Sequence, residues 1–401
     1  MLTRLTIQRF KSLEFVNVEL GQVNVLIGPN GSGKSSFLEA LGFLSAAADG
    51  RLDDQGLLRR GVRPGTAGSV ATSLREYPVP LATKIVGVFA AADGTIEHGI
   101  WTLEDYLSSP SELQWIEERK LQDLQGATRY HAETLVGAPM GPKTLKGVPA
   151  ATPWVIPPDS VIQQAKVLAD YGIFAPTTPA LRGIVTDITQ RKPLGLAGGQ
   201  LAEAVRQLLK PRARKFGKMP LDDLLALLDW VDDFAVVPPS RELVPASVPT
   251  TRQIIRFTDR WMSDSRNQLS AYDASEGALY VLFAMVLALH PESPRLFAIE
   301  SLDQNMHPRL ARATMRLFCE QVLHASPPMQ VLLATHNPLA LDGLDLRDDR
   351  IRLFTVERDR EGATRIDRVR VSDEILRATE NGLSLSSLWV MGRLGGAPDL
   401  F

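Results

Sequence analysis

Eight residues near the start of the chain, Gly28-Pro29-Asn30-Gly31-Ser32-Gly33-Lys34-Ser35, have the types and spacing to hold phosphate. They fit G-x-x-x-x-G-K-[ST] at every fixed position. Gly31 and Gly33 let the backbone turn its N–H groups inward around an anion. A helix starting near Ser35 points its positive end at the same place. Lys34 is expected to reach the β- and γ-phosphates, and the Ser35 hydroxyl to bind Mg²⁺. Asn30, Ser32 and Ser36 complete the expected contacts to ATP. Val23–Ile27 reads as a strand, and Ser35–Leu44 as a helix with Phe37, Leu38, Leu41 and Leu44 on one face. A glycine loop between a strand and a helix is the context that such a motif requires.

Three later motifs could complete the site. Leu296-Phe297-Ala298-Ile299-Glu300 is an apolar strand ending in an acid, able to hold the water shell of Mg²⁺. Any buried strand can end so, but Met306-His307-Pro308 follows at a fixed distance. Ser275-Glu276-Gly277 opens a helix, as an anion site or as an ordinary N-cap. Gln330–Thr335 is a further buried strand, and His336-Asn337-Pro338 follows it. A histidine there can hydrogen-bond a γ-phosphate or sit in a core turn.

These pieces need an α/β scaffold. Leu2–Ile7 reads as a strand, and Thr83–Phe89 and Thr95–Thr102 as a β-meander. Gln200–Leu209 and Leu221–Val231 read as amphipathic helices, and the prolines of Val236–Pro249 mark a boundary. Beyond it come a strand at Thr251–Met262, helices at Ser275–Leu289 and Leu310–Leu323, and an edge strand at Ile351–Val356. The pattern predicts a core split by an insertion: residues 1–65 and 249–401 as core, 66–248 as meander plus helical lobe. Residues between Glu104 and Pro179 yield no clear assignment.

The order P-loop, Ser-x-Gly helix, acid-ended strand, histidine-ended strand resembles the ABC-type ATPase heads of the RecF, SMC and OLD-like superfamily. More narrowly it resembles bacterial "AAA family" ATPases of antiphage-defence and DNA-maintenance systems. Leu5–Ser12 is similar to the family's N-terminal strand and Phe-Lys-Ser turn, and Ser275–Gly277 to its signature motif. Leu296–Pro308 is similar to its Walker B and D-loop, Thr335–Pro338 to its switch-histidine motif, and Leu383–Pro398 to its tails. The likeness covers about the first 45 residues and the last 150. It implies an α/β P-loop head that binds ATP and Mg²⁺ and closes as a homodimer over two nucleotides. Ser275 and Gly277 would act in trans on the partner's γ-phosphate, and Lys11 would reach the phosphates. No glutamine stands out as a Q-loop residue.

The family's Walker B usually ends in two acids, the first for Mg²⁺ and the second for the attacking water. Counting back from His307-Pro308 puts Glu300 at the first position and Ser301 at the second. Serine is no carboxylate base. Asp303, two residues on, is the alternative. In a register slipped by one, Glu300 is the base and Mg²⁺ lacks its acid. Either register predicts slow hydrolysis, with Glu300, His336 and Asp303 as catalytic candidates and Ser35 and Glu300 as metal ligands.

A formal net charge of −2 gives no global drive toward nucleic acid or an anionic membrane. Only Lys210–Lys218, with five cations and no acid, suggests nucleic acid or an acidic partner, against the reading of a solvated loop. A single cysteine, Cys319, in an apolar helical pattern, suits a core residue of a cytoplasmic protein. The longest apolar stretch, Ala278–Leu289, is too short for the roughly 20 residues of a membrane span. No HEXXH or paired Cys-x-x-Cys occurs, and Asn337–Phe401 is too short for an OLD-type metal nuclease domain. The expected role is therefore the sensor or regulator of a complex whose effector, a nuclease or toxin, is a separate chain. The alternatives are a RecF-like DNA-repair ATPase and, more weakly, a transporter subunit.

Overall fold

The structure is a computed structural model and describes residues 1–72, 74, 82–102, 115–136, 156–185, 187, 189–370 and 382–395. The chain opens with three strands, β1 (Leu2–Phe10), β2 (Leu13–Glu19) and β3 (Val23–Ile27). The hairpin β1–β2 is extended by β4 (Lys84–Ala91), β5 (Gly94–Thr102), β6 (Trp115–Gln122) and β7 (Thr128–Val136). Together they form one antiparallel sheet in the order β2-β1-β4-β5-β6-β7. The expected meander is present, but it is no separate lobe, because β4 pairs with β1 from Leu2↔Phe89 to Gln8↔Lys84. Alternation explains the pairing: Leu5 and Ile7 of β1 point to the core, and Ile85 and Phe89 of β4 share that face.

β3 leaves this sheet for the second one. Its partners are β8 (Ile173–Phe174), β15 (Leu296–Glu300), β16 (Gln330–Thr335), β17 (Ile351–Arg358) and β18 (Thr364–Val369), in the order β18-β17-β3-β16-β15-β8. All but β18 run parallel. Parallel strands are buried on both faces, which is why VNVLI, LFAIE and QVLLAT are nearly continuous apolar runs. Two expectations are corrected here. Ile351–Val356 is not an edge strand, since β18 covers it in antiparallel pairing. Ile173–Phe174, inside the expected insertion, is itself a strand of the parallel sheet.

The parallel sheet divides two cores. Val23, Val25 and Ile27 face one, with the helices Glu276–Leu289 and Pro308–Leu323. Leu26, Leu332 and Ala334 face the other, with the helix Lys34–Ala48 and the antiparallel sheet. Residues 174–234 contribute Leu181, Leu201, Phe216, Leu224 and Phe234 to the first core. There the strands β9 (Leu209–Lys210), β10 (Lys215–Phe216) and β11 (Met219–Pro220) make a small sheet, and β12 (Val231–Val237), β13 (Ile254–Asp259) and β14 (Gln268–Ser270) make another. The helix expected over Leu221–Val231 ends at Leu225, and Val231 opens β12.

Buried Gln330 stitches the two sheets together. Its side chain accepts from Leu2 N at 2.9 Å and donates to the carbonyls of Leu2 and Gly21 at 2.7 and 2.6 Å. Cys319 is buried, and its thiol is pushed up to about 12 by that burial. Among the described residues no helix is long and apolar enough to cross a membrane. The family-like tail is described only to Gly395; its remainder lies outside the described residues.

Candidate functional site

The site lies at the carboxyl ends of β3, β16 and β15, where parallel sheets place ligands. Ile27 pairs with Thr335, and Ala334 with Glu300, so the three strand ends stand side by side. The loop after β3 turns on Gly31 (φ 77°) and Gly33 (φ 111°), in the left-handed region that glycine enters without strain. Gly33 caps the helix that starts at Lys34.

An open pocket of about 310 Å³ is lined by residues 30–36 together with Arg63, Glu300, Ser301, Ala334, Thr335, His336 and Arg358. The structure thus brings together Asn30, Gly31, Ser32, Gly33, Lys34, Ser35, Ser36, Glu300 and His336, all expected from sequence. Lys34 Nζ donates to the carbonyls of Gly28 and Pro29 at 2.7 and 2.8 Å. Burial lowers its pKa, against the opposing charge of Glu300. The Ser32 hydroxyl is buried without a protein partner. A buried polar atom needs one, so the loop fits an oxygen-rich anion.

Asp303 is placed elsewhere. It is buried, and both carboxylate oxygens lie within reach of the Thr335 hydroxyl, at 3.0 and 2.9 Å. Burial raises its pKa, an effect that Thr335 partly offsets. It does not line the pocket; it ties the loop after β15 to the end of β16. Ser301 does line the pocket, and holds φ 54°. Its N–H donates to Ala334 O at 2.9 Å.

Lys11 is not on the pocket wall either. Its Nζ lies 2.6 Å from Glu39 Oε2, and Glu39 is shared with Arg63, whose Nε is 2.7 Å from Oε1. Burial alone would raise the pKa of Glu39, but the bonds and charges of Arg63 and Lys11 prevail and hold it below its ordinary value. Arg63 does line the pocket, as does Arg358. Sequence reading missed both, because neither lies in or next to a motif.

Ser275 and Gly277 stand apart from the pocket. Ser275 is exposed, and its side chain makes no capping hydrogen bond to the helix that it opens. The N-cap reading therefore leaves its hydroxyl unexplained. Gly277 packs against Leu310: a Cβ there would sit 2.9 Å from Leu310 Cδ2, and the end of that side chain would have to shift.

The basic run at Lys210–Lys218 is not an isolated cationic surface. Arg214 is paired with Asp222, and both share a cavity with Asp229, Asp232 and Arg260. Five acids, Asp222, Asp223, Asp229, Asp232 and Asp233, follow within the next stretch of chain.

Two segments of the chain, residues 23–77 and 250–342, match the family model described as "AAA domain, putative AbiEii toxin, Type IV TA system". They carry the P-loop, Ser275–Gly277, Glu300 and His336. No curated protein matches. Solved structures that resemble it include the SMC head domain from Thermotoga maritima, at 14% identity and a TM-score of 0.45, over 92% of this chain and 99% of that one. Another is the Pyrococcus furiosus Smc head domain with an extended coiled coil, bound to the C-terminal domain of ScpA. It is 12% identical with a TM-score of 0.48, over 95% and 99% of the two chains. Over those two segments the chain is similar to that AAA-domain family, and its parallel sheet with a phosphate loop at the strand ends is a P-loop α/β fold.

Proposed function

We propose that this protein binds ATP with Mg²⁺, closes head to head with a second copy, and uses the nucleotide mainly as a switch. One observation carries the reading: among the described residues, Glu300 is the single carboxylate that lines the pocket. The neighbouring position is Ser301, and Asp303 is committed to Thr335. Ser35 and Glu300 would hold Mg²⁺, which supplies charge neutralisation on the phosphates. Lys34 and Arg63 add positive charge, and His336 a hydrogen bond. Among the described residues no second carboxylate lines the pocket to polarise the attacking water, and such a base contributes typically 10²–10⁴-fold to a rate.

The exposed Ser275 at an uncapped helix start is the support for closure in trans. A family description that names a toxin system fits the sensor or regulatory part of a bacterial defence complex with a separate effector. A RecF-like role on DNA has less support, because the basic run Lys210–Lys218 is followed by five acids, one of which pairs with Arg214.

The decisive assay measures nucleotide binding, dimer closure and turnover on the same purified protein. The reading expects Mg²⁺-dependent ATP binding, cross-linkable closure with a non-hydrolysable analogue, and turnover below roughly 1 s⁻¹, the low end for enzymes. Brisk hydrolysis by the unmodified protein would overturn it.

A further inference from the structure

The back of the phosphate loop is held by a hairpin that comes more than 320 residues later in the chain. β17 and β18 are joined by a turn at residues 359–363, and both strand ends touch the loop. Arg358 Nε donates to Gly31 O at 3.0 Å, and its Nη1 donates to Gly362 O, which ties it to the hairpin's own turn. Thr364 Oγ1 lies 2.8 Å from Ser32 O and 2.8 Å from Ser12 Oγ. A carbonyl only accepts, so the Thr364 proton goes to Ser32 and the Ser12 hydroxyl donates to Thr364. Thr364 and Ser12 are both buried, and Thr364 N donates to Ser12 O at 2.8 Å.

The hairpin also packs directly on loop backbone. A Cβ on Gly33 would fall 2.2 Å from Thr364 Oγ1, and one on Gly28 would fall 2.0 Å from Val356 O. In a planar trans peptide the C=O and N–H point in opposite directions. Holding the carbonyls of Gly31 and Ser32 toward the hairpin therefore aims the N–H groups of Ser32 and Gly33 away from it, to the concave side. The Ser32 N–H makes only a long 3.3 Å bond to Pro29 O.

We propose that Arg358 and Thr364 are positioning residues for the nucleotide: they clasp the outer carbonyls of the phosphate loop and so preset its N–H groups for phosphate. Arg358 also borders the pocket and adds a cation to its rim. The clasp rests on the reading that this pocket binds ATP. It assigns the hairpin a task for which the sequence holds no motif.

The test titrates a fluorescent ATP analogue with Mg²⁺ against the parent, T364V, T364S, R358A and K34A, alongside melting without nucleotide. One hydrogen bond corresponds to roughly two- to tenfold in affinity. T364V and R358A should each weaken binding within about that range, R358A with little change in unliganded melting, and T364S should restore the parent's affinity. Parent-like affinity in both T364V and R358A, with binding lost in K34A, would overturn the clasp and leave the ATP site standing. Equal weakening by T364S and T364V would reduce Thr364 to packing and overturn its role. Undiminished binding by K34A would instead remove the ATP reading itself, and the clasp with it. R358A, at an exposed position, keeps the test open should T364V not fold.

Discussion

Two helices in this protein begin in the same way and end up in opposite surroundings. The helix from Lys34 starts on Gly33, and the helix from Glu276 starts on Ser275; neither start has a side-chain cap. Both offer free N–H groups and the positive end of a helix. Around the first stand Lys34, Arg63, Arg358, Glu300 and His336, gathered from four strand ends and a loop. Around the second there is an exposed serine, a glycine packed on Leu310, and Glu276 with Arg182 3.7 Å away. The first start has no acid in its first turn, whereas the second has Glu276. An anion-friendly helix start is thus a site only where other elements supply cations and a metal ligand. At the second start Arg182 and Glu276 face each other and offset each other's charge; in the proposed closure a second copy would bring the nucleotide and the groups around it.

Breaking the enclosed site should have the largest effect. Lys34→Ala removes the charge that meets the β- and γ-phosphates, and ATP should then no longer raise the melting temperature. Unchanged ATP-induced stabilisation would refute the assignment of this loop. Breaking the open site should look different: Ser275→Arg is expected to keep ATP binding by one head and to abolish closure. Cross-linking between heads with a non-hydrolysable analogue reads this, and closure equal to the parent's would reduce Ser275 to a plain helix start.

The enclosed site can also be sharpened. Ser301→Glu adds the missing carboxylate and should raise turnover, at most by the roughly 10²–10⁴-fold that a positioned base gives. Ser301 already holds φ 54° as a non-glycine residue, so the substitution adds no new backbone strain of that kind. Glu300→Gln should weaken Mg²⁺-dependent binding. If that variant instead traps ATP tightly, Glu300 is itself the base.

The smallest expected effect concerns Glu39, which holds Arg63 beside the pocket. Glu39→Gln should cost about 1–3 kcal/mol, the range for charged hydrogen bonds, discounted because Arg63 is 72% exposed. Its folded pKa is lowered, so its contribution is present above the ordinary value near 4.5 and is lost as pH falls through the folded value. Acid unfolding below pH 4.5 should therefore be shallower in the variant. An identical acid profile for parent and variant would contradict that origin.

The parts legible in sequence were those whose chemistry is local. A glycine loop between strand and helix, an acid closing an apolar strand, and a histidine after another strand each reveal themselves within a few residues. What escaped depends on pairing across hundreds of residues. Lys11 was expected at the phosphates, yet Glu39 takes it, a partner that helical periodicity places without regard to charge. Arg63 and Arg358 have no local signature and reach the pocket only through the sheet order. Asp303 looks like a spare base in a string of letters, and burial against Thr335 removes it. The strand expected at Ile351–Val356 read as an edge because β18 pairs with it after a turn rich in charge.

The place of β3 between β16 and β17 has a consequence for how the protein is made. Both of its neighbours emerge from the ribosome some 300 residues after it. Until then the strand that carries the phosphate loop has two bare edges, and such long-range parallel pairing is slow and prone to aggregation. A product that stops short of Gln330 would have Lys34 and Ser35 in its sequence but neither neighbour of β3 to hold them, so the proposed nucleotide binding would require synthesis to have passed β16.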